Sequence, residues 1–173
     1  MQPNFSSSRI LLPVRPWFIY ATLFAAFMAN LMPAEYAPFV PDWLALALCF
    51  WSVREFRRVG MGTALLLGLA MDVADGSIMG QHALAYVLLA YTAASLSRRI
   101  LWFPLLQQAL HVLPLLFATQ LLQVAARVMS GAEFPGWSIF VGPVIGGLLW
   151  VPGTYLLLLP QFRPAERDEN RPI

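Results

Sequence analysis

The chain has 173 residues, 59% of them hydrophobic and only 12% charged, with a mean hydropathy of +0.65 and a formal net charge of +2. Soluble domains carry about 25% charged residues, so this composition excludes a sizeable water-soluble domain and points to an all-α, polytopic membrane protein. The small positive charge makes no case for nucleic acid, because all eleven basic residues are arginines in short blocks of the kind that set membrane topology.

Residues 1–15 are polar at the start, with Ser6-Ser7-Ser8, and read as a cytoplasmic N-terminal segment. The first apolar stretch, about Pro16–Met32, follows Arg9 and Arg15. No clear small-x-small cleavage site follows it and further apolar stretches do, so it reads as a retained first helix. Trp17 and Tyr20 suit an interfacial aromatic belt. After a short connection, Pro33–Pro38, a second stretch covers about Phe39–Val53, shorter than the roughly 20 residues typical of a span. Arg54-Glu55-Phe56-Arg57-Arg58 closes it. The remaining spans are expected at about Met61–Met79, Gln81–Ser97, Leu101–Ala126 and Trp137–Leu159, with a second short connection at Ser130–Gly136. The layout is a six-helix transmembrane domain over 16–160 and a charged cytoplasmic tail over 161–173.

Charge decides whether the short second stretch counts. With six spans and the N-terminus inside, Arg9, Arg15, Arg54, Arg57, Arg58, Arg98, Arg99, Arg163, Arg167 and Arg171 all fall inside, and only Arg127 falls outside. Deleting the second span moves Arg54–Arg58 and Arg98-Arg99 outside, against the positive-inside rule. Six spans are therefore expected, with both termini cytoplasmic. The lone cysteine, Cys49, excludes a disulfide framework and any CxxC site, and reads as a small packing residue.

Within Gly60–Arg99, Asp72 is expected inside a span, where insertion scales set its cost at about 2.5–3.5 kcal/mol. Such a residue needs a partner or a purpose. Gly68, Asp72 and Asp75 fall within about 60° on a helix, which directs the carboxylates toward a helix contact rather than lipid. Two readings stand side by side. One is a buried carboxylate serving a proton, cation or ligand. The other is a joint in which Asp72 bonds a neighbouring helix, Gly68, Gly76 and Gly80 permit close approach, and Asp75-Gly76 turns the chain.

Elsewhere, Gln107, Gln108 and His111 lie within about 100° on the fifth span, and Gln120, Gln123 and Arg127 within about 60°. This polar side suits a cavity, a docking face or inter-helix hydrogen bonding. Ala21, Ala25 and Ala29 form a small-residue stripe on the first span, and Gly142, Gly146 and Gly153 another on the sixth. Pro114, Pro143 and Pro152 are expected to bend their helices. His82 and His111 have no second ligand at metal spacing, so neither a metal site nor a cofactor is expected. There is no Ser-His-Asp set, P-loop or dinucleotide glycine pattern, and no enzymatic assignment follows.

The stretch Gly60-x-Gly62-x5-Gly68-x3-Asp72-x3-Gly76-x3-Gly80-x2-Ala83-Leu84, followed by an apolar helix and Arg98-Arg99, resembles the signature region of the rod shape-determining protein MreD family. The resemblance implies a non-enzymatic inner-membrane component of the cell elongation machinery that supports lateral peptidoglycan synthesis. It implies MreC, a single-span protein with a periplasmic domain, as direct partner. MreB, RodA and a class B penicillin-binding transpeptidase belong to the wider assembly. It also implies a compact bundle similar to the substrate-binding components of energy-coupling-factor vitamin transporters, which dock partners through an alanine stripe; Ala21, Ala25 and Ala29 match it loosely. From the same likeness comes the rival expectation of a small-molecule pocket lined by Asp72, His111 and the fifth-span glutamines. A homodimer is left open.

Overall fold

The structure, a computed structural model, describes residues 14–32 and 40–161. The Pro33–Pro38 connection, nearly all of segments 1–15 and 161–173, and with them Arg9, Arg163, Arg167 and Arg171, lie outside the described residues. Among the described residues there are six α-helices and no strand: α1 Pro16–Asn30, α2 Trp43–Arg54, α3 Met61–Ala74, α4 Gln81–Trp102, α5 Leu105–Met129 and α6 Val141–Leu158. Short 3-10 turns, Trp137–Phe140 and Leu159–Gln161, extend α6 at both ends.

The helix ends have local causes. Pro16 opens α1, where its fixed φ suits a first turn. Asp42 caps α2, its side chain accepting from the Ala45 N–H at 2.9 Å. The third span was expected to reach Met79, but α3 stops at Ala74 and the chain turns through Gly76 at φ +61°. Asp72 therefore stands in the last turn of α3 and not at the middle of a span. The fourth was expected to end at Ser97, but α4 continues through Arg98-Arg99 to Trp102. It stops because Phe103 precedes Pro104 and is pushed to an extended conformation, ψ 154°. Pro114 and Pro152 lie inside helices. Pro143 does not; it sits in the first turn of α6, where a missing N–H costs no helical bond.

The core is built around α2. It packs on α1, α4, α5 and α6, and the whole run Ala47–Val53 is buried. Trp51 is fully buried, edge-on to Phe50 at 4.9 Å and Phe18 at 6.2 Å, and its Nε1–H donates to Thr22 Oγ1 at 2.9 Å. A helix sheathed by protein need not match the thickness of a bilayer, and α2 has only 12 residues, about 18 Å of rise. By contrast, α5 and the run Trp137–Gln161 are long and apolar enough to cross a membrane. The outside of the bundle is apolar, with Leu66, Leu106, Leu110, Leu148 and Leu156 exposed. In water such a surface associates; against lipid chains it is the expected exterior.

Trp51→Ala should lower stability by about 3–5 kcal/mol, whereas Trp102→Ala, at a residue 87% exposed, should leave it nearly unchanged. Thermal unfolding of the detergent-solubilised variants checks the contrast.

Candidate functional site

Helix α4 begins with a problem. Its N-cap residue, Gly80, has no side chain to bond the free N–H groups of the first turn, and its φ of +105° is reached only comfortably by glycine. Asp72 on α3 supplies what Gly80 lacks. Its Oδ2 accepts from the N–H of Gly80 at 2.7 Å and Ala83 at 3.4 Å, and its Oδ1 from the N–H of His82 at 2.7 Å. The remaining first-turn N–H, on Gln81, bonds the Ile78 carbonyl at 3.0 Å. Oδ1 also accepts from Ser77 Oγ at 3.1 Å and from His82 Nδ1 at 2.9 Å. Five donors thus converge on one carboxylate that is 1% exposed, which offsets the cost of burying the charge. The Nδ1 contact assigns that imidazole proton and leaves Nε2 facing Asp75 Oδ2 at 3.7 Å.

The same two helices touch through backbone. A Cβ on Gly68 would overlap Ala83 Cα, and would lie 2.7 Å from Ala83 N and 2.9 Å from His82 C. Gly76 and Gly80 differ from Gly68. A Cβ at either meets nothing within 4 Å, so the expectation that they allow close helix approach is corrected: glycine is needed there for positive φ. On α6, Gly142 and Gly146 do meet close neighbours, Val40 O at 3.2 Å and Leu116 at 3.0 Å, while Gly153 faces open space.

A second carboxylate, Asp42, was not singled out in the sequence. Besides capping α2, its Oδ1 accepts from Asn30 Nδ2 at 2.8 Å. The Tyr86 hydroxyl lies 2.9 Å from its Oδ2, and Gln123 Nε2 donates to the same oxygen at 3.1 Å. Asn30 Oδ1 in turn accepts from the Trp43 N–H at 2.9 Å. One side chain thereby ties together α1, α2, α4 and α5. The signal that could have found it is Pro41-Asp42 directly before an apolar run, the pattern of a helix start.

Beside these networks a cleft of about 620 Å³ opens, lined by residues of α1, α3, α4 and α5, among them Asp42, Asp75, His82, Gln120, Gln123 and Arg127. The polar side expected along α5 is thus split. Gln120 and Gln123 belong to the cleft. Gln107, Gln108 and His111 lie near the other end of α5: Gln108 is buried and donates to the Phe103 carbonyl at 2.8 Å, Gln107 is exposed, and His111 stacks on Phe103 at 4.8 Å. The expected pocket of Asp72, His111 and glutamines does not form, because neither Asp72 nor His111 lines the cleft. Of the alanine stripe, Ala21 and Ala25 are exposed, and Ala29 lines the cleft.

The family model for rod shape-determining protein MreD matches residues 8–159. The rod shape-determining protein MreD of Haemophilus influenzae is 32% identical over 149 residues, covering 82% of this chain and 89% of the relative. No solved structure matches.

Two glycines offer a paired check of the α3–α4 contact. Gly68→Ala should destabilise by about 1–3 kcal/mol through overlap with Ala83, whereas Gly62→Ala, with open space around it, should be neutral or stabilising by up to about 1 kcal/mol. Asp72→Asn keeps the shape but has one acceptor oxygen in place of two, and should cost about 1–3 kcal/mol for each donor it strands. Melting temperatures of the purified variants read all three.

Proposed function

The chain belongs to the rod shape-determining protein MreD family, whose members are shape-determining structural proteins and not enzymes, and from that membership we propose that it is a scaffold of the cell elongation machinery. In this reading it crosses the bacterial inner membrane six times, with both termini cytoplasmic, in a bundle like that of energy-coupling-factor substrate components. It binds MreC directly and, within the larger assembly of MreB, RodA and a class B penicillin-binding transpeptidase, supports lateral peptidoglycan synthesis and rod shape. The family match along most of the chain is the observation that carries it.

The distribution of arginines supports the six-span topology. Arg15 at the start of α1, Arg54 at the end of α2 and Arg98-Arg99 near the end of α4 would share one side, with Arg57 and Arg58 between α2 and α3. Arg127, near the end of α5, would lie on the other. We assign Asp72 and Gly68 the role of fixing the register of α3 against α4, with Asp75, Gly76 and Gly80 forming the turn between them. The exposed Ala21 and Ala25 remain available to a partner helix. A vitamin-type transporter component is the second reading, favoured by the 620 Å³ cleft. Against it, no Phe, Trp or Tyr among the described residues lines that cleft.

Asp72→Leu and Gly68→Leu should each reduce recovery of MreC with this chain from mildly solubilised membranes, normalised to the chain present, and should round the cells. Rod-shaped growth with undiminished recovery in both variants defeats the scaffold role. Recovery of a transporter ATPase module in place of MreC favours the second reading.

A further inference from the structure

The end of the bundle away from the α3–α4 turn is short of acceptors and of negative charge. A Cβ on Gly142, at the start of α6, would lie 3.2 Å from the Val40 carbonyl just before α2, and further along Trp150 lies 5.8 Å from Phe50. The two helices therefore run side by side in one direction, and one turn beyond the aromatic pair come Arg54 and Thr154. Three buried side-chain atoms have no hydrogen-bond partner among the described residues: Arg54 Nε, Thr154 Oγ1 and Gln161 Nε2. All three lie toward this end, and all belong to groups that can donate. The arginines here are unmatched as well. Arg58 is used within the chain, donating from Nη1 to the Val14 carbonyl at 2.7 Å. Among the described residues Arg54, Arg57, Arg98 and Arg99 have no hydrogen-bond partner, and the ion pairs involve only His82 with Asp72 and Asp75. Glu55 is the one acidic residue within 54–58. The segment 162–173, outside the described residues, carries three arginines and three acidic residues, so its net charge does not neutralise this end.

Arg54 differs from the others in being held in place. Its guanidinium carbon lies 5.1 Å from the centre of the Phe50 ring, its Nε is sealed from solvent, and the residue as a whole is half-buried. The stem is thus anchored on α2, and the terminal amino groups are what the surroundings reach. A guanidinium fixed this way presents a planar fork that fits two oxygens of a phosphate. The exposed side chains next to the arginines in sequence are apolar: Phe56, 52% exposed, between Arg54 and Arg57, and Leu101 and Trp102 after Arg98-Arg99. Cations interleaved with exposed aromatic and aliphatic groups suit the boundary between headgroups and acyl chains; a phosphate ion from solution would leave the apolar groups without a role. We propose that Arg54, together with Arg57, binds the phosphodiester headgroup of an anionic phospholipid whose acyl chains lie along Phe56, with Arg98-Arg99 and Trp102 extending the same surface. The inference rests on the membrane-bundle part of the scaffold reading, in which the ends of α2 and α4 share one side.

The test releases the full chain from nanodiscs of equal parts phosphatidylethanolamine and phosphatidylglycerol and reads the retained lipid by native mass spectrometry. The expected result is selective retention of phosphatidylglycerol, reduced about fivefold or more by Arg54→Gln and unchanged by Arg127→Gln at the opposite end. Arg54→Lys keeps the charge without the fork and should lose nearly as much as Arg54→Gln. A second measurement leaves Arg54 in place, so that it stands even where the variants fail to fold. A photo-crosslinking residue at Phe56 should label phosphatidylglycerol in excess over its share of the bilayer, while one at the exposed Leu66 of α3 follows the mixture. Full retention in Arg54→Lys, or equal losses in Arg54→Gln and Arg127→Gln, means attraction of surface charge alone and overturns the site. Displacement of the lipid by millimolar inorganic phosphate overturns the lipid as occupant. Unselective retention and labelling by a chain that still recovers MreC overturns the lipid site and leaves the scaffold standing. Selective, Arg54-dependent retention by a chain that recovers no MreC supports the lipid site and defeats the scaffold.

Discussion

A helix that starts inside an apolar surrounding must find partners for its first N–H groups, since lipid offers none. In this chain two carboxylates meet that requirement for neighbouring helices. Asp42 does so for α2 from the cap position itself, and Asp72 does so for α4 from the preceding helix. Because Asp42 at the start of α2 also bonds Tyr86 in the second turn of α4, the first turns of the two helices lie side by side. The networks meet on α4, where His82 and Tyr86 are four residues apart on one face with ring centroids 5.8 Å apart. Rotating α4 would break both at once.

The rest of the bundle is arranged around this fixed end. Between helices in lipid the hydrophobic effect contributes little, so contact area, hydrogen bonds and small residues must supply cohesion. That is what the interior contains: Gly68 against the backbone of Ala83, Gly147 against Leu113, Gly142 against the Val40 carbonyl, and Trp51 bonded to Thr22. Among the described residues, large apolar side chains are more often exposed than buried, the reverse of the rule for water-soluble proteins.

Much of the architecture was legible in the sequence. Six apolar stretches separated by arginine blocks and Pro/Gly-rich connections correspond to the six helices. Boundaries were less legible, and for identifiable reasons. Arg98 and Arg99 look like a stop but are good helix formers, so α4 runs past them. Ile78 and Met79 look like span but lie beyond Gly76, which has already turned the chain. Asp72 stood out because it is a carboxylate in an apolar stretch with glycines four residues to either side. Asp42 did not, because its partners Asn30, Tyr86 and Gln123 lie 12, 44 and 81 residues away and no local spacing encodes them. The distinction between Gly68, which needs room, and Gly76 and Gly80, which need positive φ, is a property of the space around each residue, and identical letters cannot carry it.

These separations also impose an order in time. The carboxylate of Asp72 meets its last donor at Ala83, so the α3–α4 hairpin holds its buried charge within itself as soon as the first turn of α4 exists. The carboxylate of Asp42 has no such autonomy. Until the ribosome has made Gln123, that side chain lacks one of its donors, and α1, α2 and α4 are joined without the strut that α5 provides. The nascent chain therefore completes its hairpin early and locks its first half only late, when the fifth helix arrives to close the structure behind it.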